Sequence, residues 1–142
     1  MMWRMIWPIA LVVLCNVFYN IVTKSTPQDS NALLSLTVTY LVAAVSSFVL
    51  YWLSGERQGL LPDLGKLNWT ALALGAVVVG LEFAYIHVYR AGWQVNMAPL
   101  VANTCLACVL LLVGFALFRE TISLRQLLGA AVCIAGVIII NY

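Results

Sequence analysis

The sequence predicts an all-α integral membrane protein, a bundle of five transmembrane helices. Its composition gives the class: 64% of the residues are hydrophobic and 8% are charged, too few to wet the surface of a soluble globule. Apolar runs follow one another along the chain, each roughly as long as the 20 residues that cross about 30 Å of hydrocarbon. These runs consume most of the 142 residues, so we expect one membrane domain over residues 1–142 and no separate catalytic domain.

The predicted spans are helices separated by short loops. A spanning segment must satisfy its own backbone hydrogen bonds, and these runs lack the alternating pattern of a membrane barrel. Turn-forming residues stand at positions 26–29 after the first run, at Pro62 and Asp63 after the second, and at Gly92 after the third. The spans are predicted over residues 5–23, 31–53, 68–89, 95–118 and 123–140.

Lysine and arginine are distributed unevenly between the two faces that five crossings define. The face that holds the amino terminus carries five of the seven, whereas the other carries Lys24 and Arg90. Positive charge marks the cytoplasmic side of a membrane. The five are Arg4, Arg57, Lys66, Arg119 and Arg125. We therefore predict the cell (cytoplasmic or inner) membrane, with the amino terminus in the cytoplasm and the carboxy terminus outside.

Glu82 is the acidic residue that falls near the middle of a predicted span. A charge at a helix centre costs about 2.5–3.5 kcal/mol on insertion scales, so its presence requires a reason. Tyr85 and Tyr89 lie on the same helical face, three and seven residues further on. The carboxylate either binds a cation or a proton in a cavity, or is a packed, hydrogen-bonded glutamic acid.

Two further polar stripes run along predicted spans. Asn16, Tyr19 and Asn20 share a face of the first span, and Asn103 lies on the fourth. Such stripes face protein or water rather than lipid. They either line a cavity or form interhelical hydrogen bonds, each worth about 0.6 kcal/mol. The predicted substrate- or ion-binding residues are Glu82, Tyr85, Tyr89, Asn16, Tyr19, Asn20 and Asn103.

Small residues form a ridge on the last predicted span. Gly129, Cys133 and Gly136 allow another helix to approach closely, which predicts an association surface and a dimer interface. All four cysteines of the chain lie in apolar runs, where we expect small buried thiols rather than disulfides.

Catalysis finds no support in the sequence. Both aspartates, Asp29 and Asp63, fall in loops, and the single histidine, His87, has no base or nucleophile arranged beside it. We expect no enzyme activity, no catalytic residue, no metal and no cofactor. The net charge of +2 is small and scattered, so nucleic acid is not an expected partner.

The segment joining the last two spans carries a family motif. Glu120, Ser123, Gln126, Gly129 and Gly136 fall at the spacing of the EamA-type drug/metabolite transporter superfamily, which the chain resembles as one five-helix repeat. It departs from that pattern at Arg119, where glycine usually stands, and at Ala107, where proline often does.

The chain is also similar to the small multidrug resistance proteins. Gly129 and Gly136 match the segment that those proteins use for dimerisation. Counting back from Lys24, their essential first-helix carboxylate falls at Asn16, which cannot exchange a proton. The resemblance leaves Glu82 as the membrane acid available for coupling.

The resemblance implies half of an inverted-repeat transporter. Full-length family members resemble two such repeats in inverted orientation, and an odd number of spans suits that pairing. The expected function is a small secondary transporter or exporter subunit in membrane lipid. It would move a small metabolite or drug-like compound by alternating access, as a homodimer or as a heterodimer with an inverted half-transporter. Two alternatives stay open: a non-transporting subunit that stabilises or regulates a larger complex, and a subunit that flips a lipid-linked sugar.

Overall fold

The computed structural model describes residues 3–55 and 59–141 of the chain. Those residues form helices joined by turns, with no strand among them. The described part holds four helices long and apolar enough to span a membrane, and the last helix has a shorter apolar stretch, Leu124–Ile140. The helices are α1 (Trp3–Lys24), α2 (Ala32–Leu53), α3 (Leu60–Leu64), α4 (Trp69–Arg90), α5 (Ala98–Phe118) and α6 (Leu124–Asn141).

Asparagine side chains set the start of two long helices. Asn31 is the N-cap of α2, and its side-chain oxygen accepts hydrogen bonds from the backbone N–H groups of Leu33 and Leu34 at 3.0 and 3.2 Å. Asn68 caps α4 by accepting from the N–H of Thr70 at 3.0 Å. A cap satisfies N–H groups that have no partner within the helix. The predicted starts at residues 31 and 68 are therefore each one residue early.

Two elements differ more from the sequence prediction. The turn predicted at Pro62 and Asp63 is wrong, because both residues belong to the short helix α3. Pro62 is tolerated there because the first turn of a helix does not use its N–H groups within the helix. The fourth span was predicted to begin at residue 95, three residues too early, because α5 begins at Ala98 after a turn in which the Met97 N–H donates to the Gln94 carbonyl at 3.1 Å.

The link between α5 and α6 contains the motif residues. Ser123 and Gln126 form a reciprocal cap: the Ser123 N–H donates to the Gln126 side chain at 2.8 Å, and the Gln126 N–H donates to the Ser123 hydroxyl at 3.3 Å. This arrangement is a capping box with glutamine at the third helical position. These two family positions thus define where α6 starts.

Arg119 ends α5 in a left-handed conformation, with φ 54° and ψ 32°. Glycine is the usual residue for such a helix end, because it has no Cβ to clash with the following carbonyl. Glu120 then folds back over α5, where its N–H donates to the Gly114 carbonyl at 3.0 Å. A Cβ on Gly114 would lie 2.6 Å from Glu120 Oε2, so the glycine makes room for this carboxylate.

The chain divides into two compact units. One holds α1 as far as Asn20 together with the chain from Gly92 onward, and the other is Ile21–Ala91. The single domain predicted over residues 1–142 stays a prediction. So does the orientation of the termini, since Arg57 and the side chain of Arg4 lie outside the described residues.

Candidate functional site

The α2–α4 pair in the second unit has a small buried core. Leu36 of α2 and Ile86 of α4 are each 4% exposed, and together with Ala32 they form the centre of the contact. Tyr40 packs against this cluster from α2, one turn beyond Leu36. Glu82 lies one turn before Ile86 and on the same face of α4. The pairing therefore places Tyr40 and Glu82 next to each other.

Glu82 and Tyr40 form a polar contact inside this apolar pair. The Glu82 side chain is half-buried, and the Tyr40 hydroxyl oxygen is fully buried. The two groups lie close enough to interact electrostatically, and the hydroxyl makes no standard hydrogen bond with the described residues. A carboxylate with an adjacent hydroxyl, at a helix contact made otherwise by apolar side chains, can hold a proton or a small cation.

Sequence reasoning missed Tyr40. The residue lies within a strongly apolar helix and shares no sequence neighbourhood with Glu82, so a single-helix pattern does not connect them. A signal was present, because Ala32, Leu36 and Tyr40 recur at a spacing of four residues and mark one face of α2. Matching that face to the face of Glu82 requires the register between two helices.

Tyr85 and Tyr89 continue from Glu82 towards the end of α4. Their ring centroids are 6.2 Å apart, and Tyr89 is buried with 3% of its surface exposed. The amino group of Lys24, in the last turn of α1, lies 5.6 Å from the centroid of the Tyr89 ring and 3.4 Å from the Tyr89 carbonyl oxygen. The predicted α4 face is thus a continuous polar and aromatic strip within one unit.

The asparagines of α1 lie in the other unit. Asn20 is buried, and its side-chain amide donates to both the backbone and the side-chain oxygens of Asn16 at 2.7 Å. Tyr19 is half-buried beside them. This part of the predicted stripe is a hydrogen-bonded pair along one helix. Whether it shares a cavity with Glu82 stays a prediction.

A groove of about 610 Å³ runs between α5 and α6. It includes the predicted binding residue Asn103 and two of the predicted interface residues, Gly129 and Cys133. Gly136 is half-buried further along α6. The groove is lined by Pro99, Leu100, Asn103, Thr104, Ala107, Cys108, Leu111, Gln126, Gly129, Ala130 and Cys133.

Histidine and cysteine lie apart from the Glu82 contact. His87 is exposed and its Nδ1 lies 2.9 Å from the Phe83 carbonyl oxygen of its own helix. The expectation of buried thiols is wrong: the cysteines are free, but Cys108 is half-buried and Cys15, Cys105 and Cys133 are exposed. Few residues are buried between the helices, so most apolar side chains lie on the surface, where lipid is the solvent.

Comparison with known proteins gives a family. The model of the EamA-like transporter family matches residues 3–142 of the chain. No curated protein and no solved structure matches the chain.

Proposed function

Because the chain belongs to the EamA-like transporter family, we propose that it is a subunit of a small secondary transporter or exporter. The family and the long apolar helices make it a multi-pass membrane protein of a family that transports small compounds. Its substrate in this proposal is a small metabolite or drug-like compound. Movement occurs by alternating access, with Glu82 as the coupling or cation-binding group.

The observation that carries this proposal is the Glu82–Tyr40 contact. An acid in the middle of a 22-residue apolar helix has a high insertion cost. Packing alone does not require it, because Leu36 and Ile86 already join the same two helices through apolar contact. Glu82 is half-buried and not fully enclosed, which suits exchange of a proton or cation. Tyr85 and Tyr89 extend the face along which a substrate would move.

The proposed assembly is a dimer in which each chain supplies five crossings. In this topology α1, α2, α4, α5 and α6 cross the membrane, and α3 lies at the interface. The α5–α6 groove supports the dimer, because it presents Gly129 and Cys133 at an open surface. Small residues permit the close helix contact that drives association in lipid. The partner is a second copy or an inverted half-transporter, and the termini follow the cytoplasmic-amino-terminus orientation.

The test is transport by the full chain in proteoliposomes. Wild-type vesicles are screened by solid-supported membrane electrophysiology for currents evoked by organic cations and small metabolites. The Glu82→Gln variant keeps the shape of the side chain but removes its charge. We expect it to lower the current at least about tenfold, the effect of losing roughly 1.4 kcal/mol of interaction. Glu82→Asp, which retains the charge, should keep part of the activity.

The matched control is Asp29→Asn, which neutralises an exposed acid in the loop between α1 and α2. It should transport like the wild type. If Glu82→Gln also transports like the wild type while remaining folded by circular dichroism, the assigned role of Glu82 is wrong.

A non-transporting subunit is the second candidate. The Asn16–Asn20 pair favours it, because two amides that hydrogen-bond to each other within α1 leave fewer groups to contact a substrate. This candidate predicts no current from wild-type vesicles with any compound. It also predicts that the chain stabilises a larger membrane complex, which co-purification from native membranes would detect.

A further inference from the structure

One end of the α2–α4 unit gathers two positive charges around a small cavity. Lys24 closes α1 and Arg90 closes α4, and both line a cavity of about 20 Å³ together with Gln28 and Tyr89. Lys24 and Arg90 are also two of the seven basic residues in the chain. Their convergence at one point is therefore not a consequence of a generally basic surface.

Arg90 anchors the loop between α1 and α2 with one of its nitrogens. Its Nη2 donates to the Ser30 carbonyl at 2.7 Å, the Pro27 carbonyl at 3.1 Å and the Ser30 hydroxyl at 3.2 Å. Its Nε is buried and, among the described residues, has no hydrogen-bond partner. A buried N–H without an acceptor is costly, so an oxygen that reached this edge of the guanidinium would be stabilised there.

Carbonyl oxygens orient the guanidinium but do not neutralise it. Asp29, in the same loop, is exposed and makes no ion pair with Arg90 in the described structure. The cavity lining that the structure describes contains hydroxyl, amide, amino and guanidinium groups and no carboxylate. The chemistry of this lining is that of an anion site.

The opposite end of the same unit provides a contrast. There the Lys66 amino group pairs with Asp63 Oδ1 at 3.3 Å, and the Tyr51 hydroxyl donates to Asp63 Oδ2 at 2.8 Å. The charge of Lys66 is thus balanced within the protein. At the Lys24–Arg90 end, the described structure supplies no such acid to Arg90.

We propose that Lys24 and Arg90 form a binding site for a phosphate group. The cavity admits about one oxygen atom, since a water molecule needs roughly 10–15 Å³ measured in this way. A phosphate therefore places one oxygen inside, towards Arg90, while the rest of the group remains at the mouth beside Lys24. The group belongs to a phospholipid headgroup or to free phosphate. This inference goes beyond the proposed transport and does not depend on Glu82.

The test measures binding by the purified full chain in detergent. Short-chain phosphatidic acid, phosphatidylcholine with the same acyl chains, and inorganic phosphate are titrated separately, with thermal unfolding as the readout. Wild-type protein should be stabilised by phosphatidic acid more than by phosphatidylcholine. Inorganic phosphate that stabilises equally identifies the free anion as the source, whereas phosphatidic acid alone identifies the lipid. Absence of any preference among these probes overturns the proposal.

Variants locate the site. Lys24→Gln should weaken the apparent Kd for the preferred phosphate probe roughly fivefold to tenfold, the effect of one charge-assisted contact. Lys24→Arg should restore binding, and Lys66→Gln is the matched control at the opposite end. Equal binding by wild type and Lys24→Gln overturns the assignment. If Lys24→Gln fails to fold, the same comparison is made between Lys24→Arg and Lys24→Met, and equal binding there overturns it.

Discussion

The α2–α4 and α5–α6 pairs use opposite packing strategies. The first meets through Leu36 and Ile86 and places a carboxylate against a tyrosine hydroxyl. The helices of the second pair are joined by the short link between Phe118 and Leu124, and a groove of about 610 Å³ runs between them along small residues such as Gly129 and Ala130. Large interlocked side chains hold a polar group in place, whereas small ones leave a surface for another helix. The difference suggests that chemistry and association belong to different helix pairs.

Of the effects that this comparison predicts, the largest comes from filling the open groove. A Cβ on Gly129 would meet no atom within 4 Å, and the groove that it lines has about 610 Å³ for the rest of a side chain, so Gly129→Leu should be tolerated by the isolated chain. If a partner helix packs there, the added side chain overpacks the interface by about 1–3 kcal/mol. We expect self-association, measured by fluorescence resonance energy transfer in liposomes, to weaken by at least about fivefold.

Gly80→Leu is the matched control on α4, where a Cβ also meets no atom within 4 Å. It should leave association unchanged. An equal loss from both variants would remove the distinction between the two helix pairs.

The next effect concerns the end of α5. Arg119 occupies a left-handed conformation that costs a non-glycine residue roughly 1–2 kcal/mol. Arg119→Gly should therefore raise the unfolding free energy by about 1 kcal/mol, measured by denaturant unfolding in mixed micelles. Arg119→Lys keeps both the Cβ and the charge, so it should leave the unfolding free energy unchanged. A gain from lysine equal to that from glycine would point to the side chain and not to backbone strain.

A smaller effect is expected from Tyr40→Phe, which removes the hydroxyl that lies close to Glu82. Because the contact is not a standard hydrogen bond, it is worth the low end of the hydrogen-bond range, about 0.5 kcal/mol, and transport should fall roughly twofold. In the Glu82→Gln background the same change should add little, because interacting residues are not additive. Tyr51→Phe is the control, since its hydroxyl contacts Asp63 instead. Additive losses at Tyr40 and Glu82 would show that the two side chains act separately.

The smallest effect belongs to Gly114→Ala. The new methyl group would meet Glu120 Oε2, which is the far end of a flexible and exposed side chain. The carboxylate can move away, so we expect destabilisation below about 1 kcal/mol. Adding Glu120→Ala should remove even that loss. A large loss that persists in the double variant would show that the helix backbone itself cannot accept a Cβ.

Local signals explain what could be predicted from the sequence. Helix starts near Asn31, Asn68 and Ser123 were predicted to within a residue because a cap involves only its own first turn. The family motif was recognisable for the same reason, because its residues also make local contacts. Ser123 and Gln126 cap α6, and Glu120 folds over Gly114, so these positions specify a helix–turn–helix link and carry no information on substrate.

Contacts between distant residues could not be predicted in this way. The face containing Glu82, Tyr85 and Tyr89 followed from helical periodicity, but its partner Tyr40 depends on how α2 slides against α4. Arg90 and Ser30 are 60 residues apart, and their contact likewise has no sequence pattern. α3 was missed because proline and aspartate favour a turn and a single helical turn alike.

The matching lengths of α2 and α4 have a consequence for the surrounding bilayer. Each helix has 22 residues and extends about 33 Å. A spanning helix slightly longer than the roughly 30 Å hydrocarbon core tilts or thickens the lipid around it, at a cost of fractions of a kcal/mol per Å. Because the two helices pack through Leu36 and Ile86, they would tilt as a pair and share one region of adjusted lipid.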